Sequence, residues 1–95
     1  MERDLIIGID AGTSVIKAVA FDLQGRQIAV ASTPNQVNLG PGGVAEQDMA
    51  RTWTDTAATL RALGERVPGL AQRALAMAAT GQGDGTWLVD TDGEP

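Results

Sequence analysis

The chain has no cysteine, no histidine, no tyrosine and one phenylalanine in 95 residues. Without cysteine there is no disulfide framework and no thiolate metal site. Without histidine the commonest general base and metal ligand is missing. Cations are scarce as well: seven Lys and Arg against twelve Asp and Glu give a net charge of −5, with a pI near 4.4. Nucleic acid and anionic membrane surfaces select basic stripes, so this balance argues against both, and an acidic partner is disfavoured on the same ground. The first apolar run starts at Leu5 and stops at Asp10, too short for a membrane span or for the core of a secretion signal. We therefore expect a soluble, unexported, cytoplasmic chain. Its length allows one small domain at most, which buries about two-thirds of the surface of its unfolded chain.

What is present suits a small α/β fold. Leu5 to Ile9 is nearly continuous, apolar and branched, which predicts a central strand buried on both faces. Val15 to Phe21 follows within hairpin distance, Asp22 to Arg26 forms a turn with Gly25 free for positive φ, and Gln27 to Thr33 supplies a third strand carrying Ile28 and Val30. Three consecutive strands make an antiparallel meander. Pro34 to Ala45 holds two prolines, two asparagines and three glycines and is expected to be a loop without regular structure. A helix follows, capped by Asp48, with an apolar stripe of Met49, Trp53, Ala57, Leu60 and Leu63 that Pro68-Gly69 ends. Ala74 to Ala79 then fits a strand returning parallel to the first after a helical crossover. Trp87 to Asp90 is expected to be a further strand, with Thr91 to Glu94 turning back. The chain stops inside that turn, so a fragment is expected.

Chemistry-bearing residues concentrate at the first reversal, Asp10-Ala11-Gly12-Thr13-Ser14. A tight turn at the end of a central strand exposes successive backbone N–H groups, and such a nest binds anions. Gly12 permits positive φ and the close approach of a phosphate. Thr13 and Ser14 can donate hydroxyl hydrogen bonds to phosphate oxygens. Asp10 would repel phosphate directly, so its role there is to hold Mg²⁺, through water, while Lys17 supplies positive charge nearby. A plain hairpin turn uses the same residue types, so this pentapeptide alone does not decide the matter. An aspartic protease loop also places an Asp and a Gly after a hydrophobic strand, but it has a hydroxyl residue between them where Ala11 stands here.

The longer string Gly8-Ile9-Asp10-Ala11-Gly12-Thr13-Ser14, with Lys17 and then Phe21-Asp22, resembles the first phosphate motif of the actin, Hsp70 and sugar kinase superfamily in the form used by the FGGY carbohydrate kinases. Glu46-Gln47-Asp48 followed by Trp53 is similar to that family's segment before its first helix. Thr80-Gly81-Gln82-Gly83-Asp84-Gly85-Thr86 looks like its sugar-contacting loop. The resemblance covers nearly the whole chain in the family's order. Met49 stands where many members have proline, and the first helical position accepts either.

The resemblance implies an α/β fold, the N-terminal portion (residues 1–95) of the first of two actin-like, ribonuclease H-like ATPase domains, cut before that domain is complete. It implies ATP and Mg²⁺ as cofactors and a small polyol or sugar as substrate. Gly12, Thr13, Ser14 and Lys17 would meet the phosphates and Asp10 the metal. Gln82, Gly83 and Asp84 would meet the substrate, with Gly83 standing where glycerol kinases carry an arginine. The string Gly81 to Leu88 looks most like erythritol kinases and next most like kinases of keto-sugars or keto-sugar acids. The family's general base lies downstream of Pro95, so the 95 residues alone are expected to be inactive and to self-associate through uncovered apolar surface. Trp87 either flanks the substrate or opens a strand of the core, and Glu46 anchors a loop. A non-catalytic binding or structural module keeping the same fold is the competing class.

Overall fold

The computed structural model describes residues 2–95. Strands β1 (Leu5–Ala11), β2 (Val15–Asp22) and β3 (Gln27–Pro34) form the meander, and β6 (Ala74–Gly81) adds to the free side of β1 in parallel, giving the order β3-β2-β1-β6. Between them lie a two-stranded ribbon of β4 (Asn38–Gly40) and β5 (Val44–Glu46), the long helix α1 (Met49–Arg66) and the single turn α2 (Leu70–Arg73). The crossover through α1 is what allows β6 to run parallel to β1, because a tight hairpin can only return antiparallel.

The core lies on one side of the sheet. Leu5, Ile7 and Ile9 of β1, Ala18 and Ala20 of β2 and Ala31 of β3 meet Leu63 of α1, Val67 and Leu70. Fully burying a residue such as Leu5 or Leu63 stabilises the fold by about 1.5–3 kcal/mol. The strands contribute alanine here, so the helix can sit close to β2 and β3. The expectation that β1 is buried on both faces is not met. Its buried residues alternate, Ile6 is 38% exposed, and the opposite face, with Gly8, Asp10, Lys17, Val19 and Phe21, has no covering element among the described residues. A strand covered on one side obeys the two-residue period.

The helix buries the C-terminal part of its expected stripe, Leu63 with Leu60 packed beside it, but not Trp53. Asp48 caps it by accepting from Arg51 N–H at 3.1 Å, as its sequence predicts, yet Trp53 is 76% exposed. The buried row runs through Thr59 and Leu63 and on to Val67, with Thr52 and Thr56 half-buried. Threonine can line this face because Thr52, Thr56 and Thr59 each donate their hydroxyl to the carbonyl four residues back, which satisfies the polar atom and leaves the methyl to pack. Thr33 and Thr59 hydroxyls lie 2.6 Å apart. Since the Thr59 proton goes to Asp55 O, Thr33 is the donor between them.

Two further expectations are corrected. The stretch from Pro34 to Ala45 is not structureless: β4 and β5 pair antiparallel around Pro41–Gly43, where Gly42 and Gly43 take φ of 74° and 83°. Trp87 to Asp90 is not a strand, because no strand among the described residues lies beside it to share a ladder. The turn after it is formed, with Gly93 N–H donating to Asp90 O at 3.0 Å and Asp90 N–H to Glu94 O at 2.7 Å.

At the N-terminal end of the β1–β6 pair, Arg73 grips Asp4 with two bonds of 2.9 Å while Asp4 N–H donates to Arg73 O at 3.0 Å. The Arg73 guanidinium hydrogen-bonded to Asp4 holds its carboxyl below the ordinary Asp value and raises the Arg73 pKa in turn. A depressed carboxyl pKa stabilises the fold above the unfolded value of about 3.9 and loses that contribution as pH falls through the lower folded value. Asp22, whose Oδ1 accepts from Arg26 and Gln24 N–H, is shifted the same way. Denaturation of the purified protein should therefore become easier as the pH falls below about 4. Asp4→Asn should be less stable at neutral pH and show a shallower dependence on acid; a variant with the wild-type slope would remove this clamp from the account.

Candidate functional site

Because β1 and β6 are parallel neighbours in register through Ala11↔Gly81, the loops that leave their carboxyl ends emerge side by side. Open α/β sheets bind ligands at such ends. One loop is Gly12-Thr13-Ser14, the other begins at Gln82.

The first loop is closed by Gly12 N–H donating to Val15 O at 3.0 Å. Gly12 does not take positive φ. The space beside it is tight: a Cβ there would lie 3.0 Å from Val15 O, with Asp10 Oδ1 at an ordinary contact distance of 3.7 Å. The three carbonyls of the loop are all engaged. Asn35 Nδ2 donates to Gly12 O at 2.8 Å, Gln47 Nε2 to Thr13 O at 3.0 Å and Asn35 N–H to Ser14 O at 2.9 Å. Among the described residues the N–H groups and hydroxyls of Thr13 and Ser14 donate to no acceptor, and both residues are exposed. The loop thus offers four uncommitted donors, the outfit of an anion site.

Two depressions flank this loop. A cleft of about 580 Å³ is walled by Thr13, the β5–α1 segment Glu46 to Met49, and Gln82, Asp84 and Trp87. A shallower one of about 360 Å³ lies on the bare face of the sheet, where Asp10 and Lys17 sit opposite each other across β1 and β2 above Gly8, Val19 and Phe21. The fold therefore gathers Thr13, Gln82 and Asp84 on one wall and places Asp10 and Lys17 on the other side of the same turn. Gly83 does not line the cleft. Trp87 does, at 43% exposure, which places it on the cleft wall and outside the core. The charged side chains on the cleft wall, Glu46, Asp48 and Asp84, are all acidic, which suits a neutral polyhydroxyl ligand, since carboxylates accept strongly from O–H donors.

No group of three or more Asp or Glu among the described residues could enclose a metal ion. Asp10 alone fits an ion that keeps most of its waters and takes its remaining ligands from phosphate, the habit of Mg²⁺. Asn35 and Gln47 were not among the expected site residues. Gln47 is marked only as part of the string Glu46-Gln47-Asp48 before the helix, which carries no hint of its contact with the turn; Asn35 follows Pro34 in a stretch expected to be a plain loop, and nothing local marks it.

Residues 5–95 match the model of the FGGY family of carbohydrate kinases, N-terminal domain. The chain is 60% identical over 92 residues to the erythritol kinase of Brucella abortus (strain 2308), covering 97% of this chain and 18% of that protein. It is 34% identical over 92 residues to the autoinducer-2 kinase of Salmonella typhimurium, covering 95% and 17%. The solved xylulose kinase from Rhodospirillum rubrum overlays with a TM-score of 0.85 at 30% identity, covering 94% of this chain and 18% of that one. The chain spans less than a fifth of the length of these relatives.

The crowding at Gly12 makes a direct prediction. Gly12→Ala forces its Cβ against a backbone oxygen and should cost about 1–3 kcal/mol in chemical denaturation. A loss below about 0.5 kcal/mol, the range of an ordinary surface substitution, would mean that the turn yields freely and that close approach does not explain the glycine.

Proposed function

We propose that this chain, which belongs to the FGGY family of carbohydrate kinases, is the N-terminal portion of an ATP-dependent kinase that phosphorylates a hydroxyl of a small polyol, erythritol in the first instance. The observation that carries the reading is the adjacency of an uncommitted donor turn at Gly12–Ser14 to a cleft holding Gln82 and Asp84. In this reading Thr13 and Ser14 receive phosphate oxygens and Asp10 holds the waters of Mg²⁺. Lys17 adds positive charge from the same side as Asp10, and Asp84 with Gln82 orients the polyol. Gly83, off the cleft wall, serves by leaving the loop without bulk.

Bound Mg·ATP would supply the phosphoryl group. Transfer depends on positioning and charge neutralisation in a closed site. One wall of a cleft supplies too little of either, so the 95 residues alone are proposed to be inactive, with the general base provided by a longer protein. The acidic cleft wall favours a neutral polyol over a keto-sugar acid, while the likeness to xylulose kinase keeps neutral keto-sugars in the comparison. On their own the 95 residues are proposed to self-associate, since Leu75 and Met77 on the edge strand are each 56% exposed and an uncovered strand edge invites pairing.

The test is ADP release from Mg·ATP by the protein of the complete reading frame, with erythritol, glycerol, xylulose and ribulose as acceptors and the 95-residue chain alongside. Turnover should be found only in the longer protein and be strongest with erythritol. Asp84→Asn should lower kcat/KM for the polyol about tenfold or more. Silence of a well-folded long protein with every acceptor would favour a non-catalytic module. Light scattering of the 95-residue chain should show oligomers, and a monodisperse monomer would contradict the edge argument.

A further inference from the structure

We infer that Asn35 and Gln47 are positioning residues that aim the N–H groups of Thr13 and Ser14 at a bound phosphate, and that Gln47 links this aim to occupancy of the cleft. The inference rests on the kinase reading above.

A trans peptide unit is planar, with its C=O and the following N–H pointing in opposite directions. Holding the oxygen therefore sets the direction of the hydrogen. Asn35 Nδ2, 2.8 Å from Gly12 O, fixes the peptide whose N–H belongs to Thr13. Gln47 Nε2, 3.0 Å from Thr13 O, fixes the peptide whose N–H belongs to Ser14. The Asn35 backbone N–H takes Ser14 O and anchors the end of the turn. Three successive peptides are set by two residues from separate segments, Asn35 directly after β3 and Gln47 directly after β5, just ahead of the helix cap Asp48. With these bonds lost, a peptide of the turn can rotate and present its oxygen to the incoming phosphate, exchanging an attraction for a repulsion.

Gln47 has a second connection. Its side chain lines the cleft with Gln82 and Asp84, and its Oε1 accepts from no donor among the described residues. A hydroxyl bound in the cleft can donate to Oε1 while Nε2 continues to donate to Thr13 O. Hydrogen bonds in a chain polarise one another, so a polyol on Oε1 strengthens the grip on the phosphate turn. By linkage, nucleotide at the turn then favours polyol in the cleft by the same factor.

The experiment uses the protein of the complete reading frame and calorimetric binding of Mg·ADP with and without erythritol, together with kcat, KM and thermal melting. Asn35→Asp and Gln47→Glu replace an N–H donor by a carboxylate oxygen of nearly the same shape. Each should bind Mg·ADP about tenfold more weakly and lose kcat while melting within a few degrees of wild type, a misaimed donor costing up to about a hundredfold. Gln47→Lys restores a donor for Thr13 O without an acceptor for the polyol. It should recover most of the Mg·ADP affinity yet lose the tightening that erythritol produces in the wild type. Unchanged Mg·ADP affinity in Asn35→Asp and Gln47→Glu would overturn the inference. So would a loss that Gln47→Lys does not restore, or a wild type in which erythritol leaves Mg·ADP affinity unmoved. If Asn35→Asp does not fold, the Glu and Lys variants of Gln47 decide. A wild type that phosphorylates no polyol but binds Mg·ADP in a Gln47-dependent way would defeat the kinase reading and leave the aiming role standing; a wild type that binds no Mg·ADP defeats both.

Discussion

The parallel pairing of β1 with β6 is the constraint on which the rest of the site depends. It requires a crossover, and the crossover is α1 laid across the meander. The pairing is pinned at one end, where Asp4 and Arg73 exchange side-chain and backbone bonds. At the other end Ala11 and Gly81 stand in register, so two glycine-bearing loops leave the sheet together. A slip of one residue would turn every side chain of β6 to the opposite face and offset the Gln82 loop from the Gly12–Ser14 turn. The clamp and the site are thus opposite ends of one ladder.

Beside that ladder, α1 packs on β2 and β3 through small residues. Alanines on β2 and β3 and back-bonded threonines on α1 let helix and sheet approach closely. The close approach also brings together Asn35, which follows β3, and Gln47, which follows β5 just ahead of α1. Thr52 of the helix sits 3.5 Å from Asn35 Oδ1, so the helix, the end of β3 and the Gly12–Ser14 turn meet at one point. A site built where three elements converge is held more tightly than one on a free loop. The bare face carrying Asp10 and Lys17 is, by contrast, open and largely apolar around them.

Much of this was legible in the residues. The β-branched run from Leu5, the Asp48 cap and the apolar segment from Ala74 yielded the meander, the crossover and the parallel strand in their observed order. The motif from Gly8 to Ser14 pointed to the turn, and Gln82 and Asp84 to the cleft. What the sequence hid has physical causes. Trp53 falls on the apolar spacing of the helix, and that spacing does not register that a helical threonine can satisfy its own hydroxyl and line the buried face instead. The ribbon of β4 and β5 was missed because its strands are three residues long and its glycines read as loop. The freedom for positive φ that Gly12 offers is not used, and the tight neighbour of its missing Cβ is a carbonyl three residues ahead. The roles of Asn35 and Gln47 are fixed by contacts across 23 and 34 residues of chain, which no local pattern encodes.

The most direct test of the central claim is a crystal structure of the protein of the complete reading frame with a non-hydrolysable Mg·ATP analogue and erythritol. Phosphate oxygens are expected within hydrogen-bond distance of Thr13 and Ser14 N–H, with the Asn35 and Gln47 bonds to the turn intact, and the polyol on Asp84 in the adjoining cleft. Phosphates bound away from the Gly12–Ser14 turn, or a polyol without contact to Asp84, would contradict it.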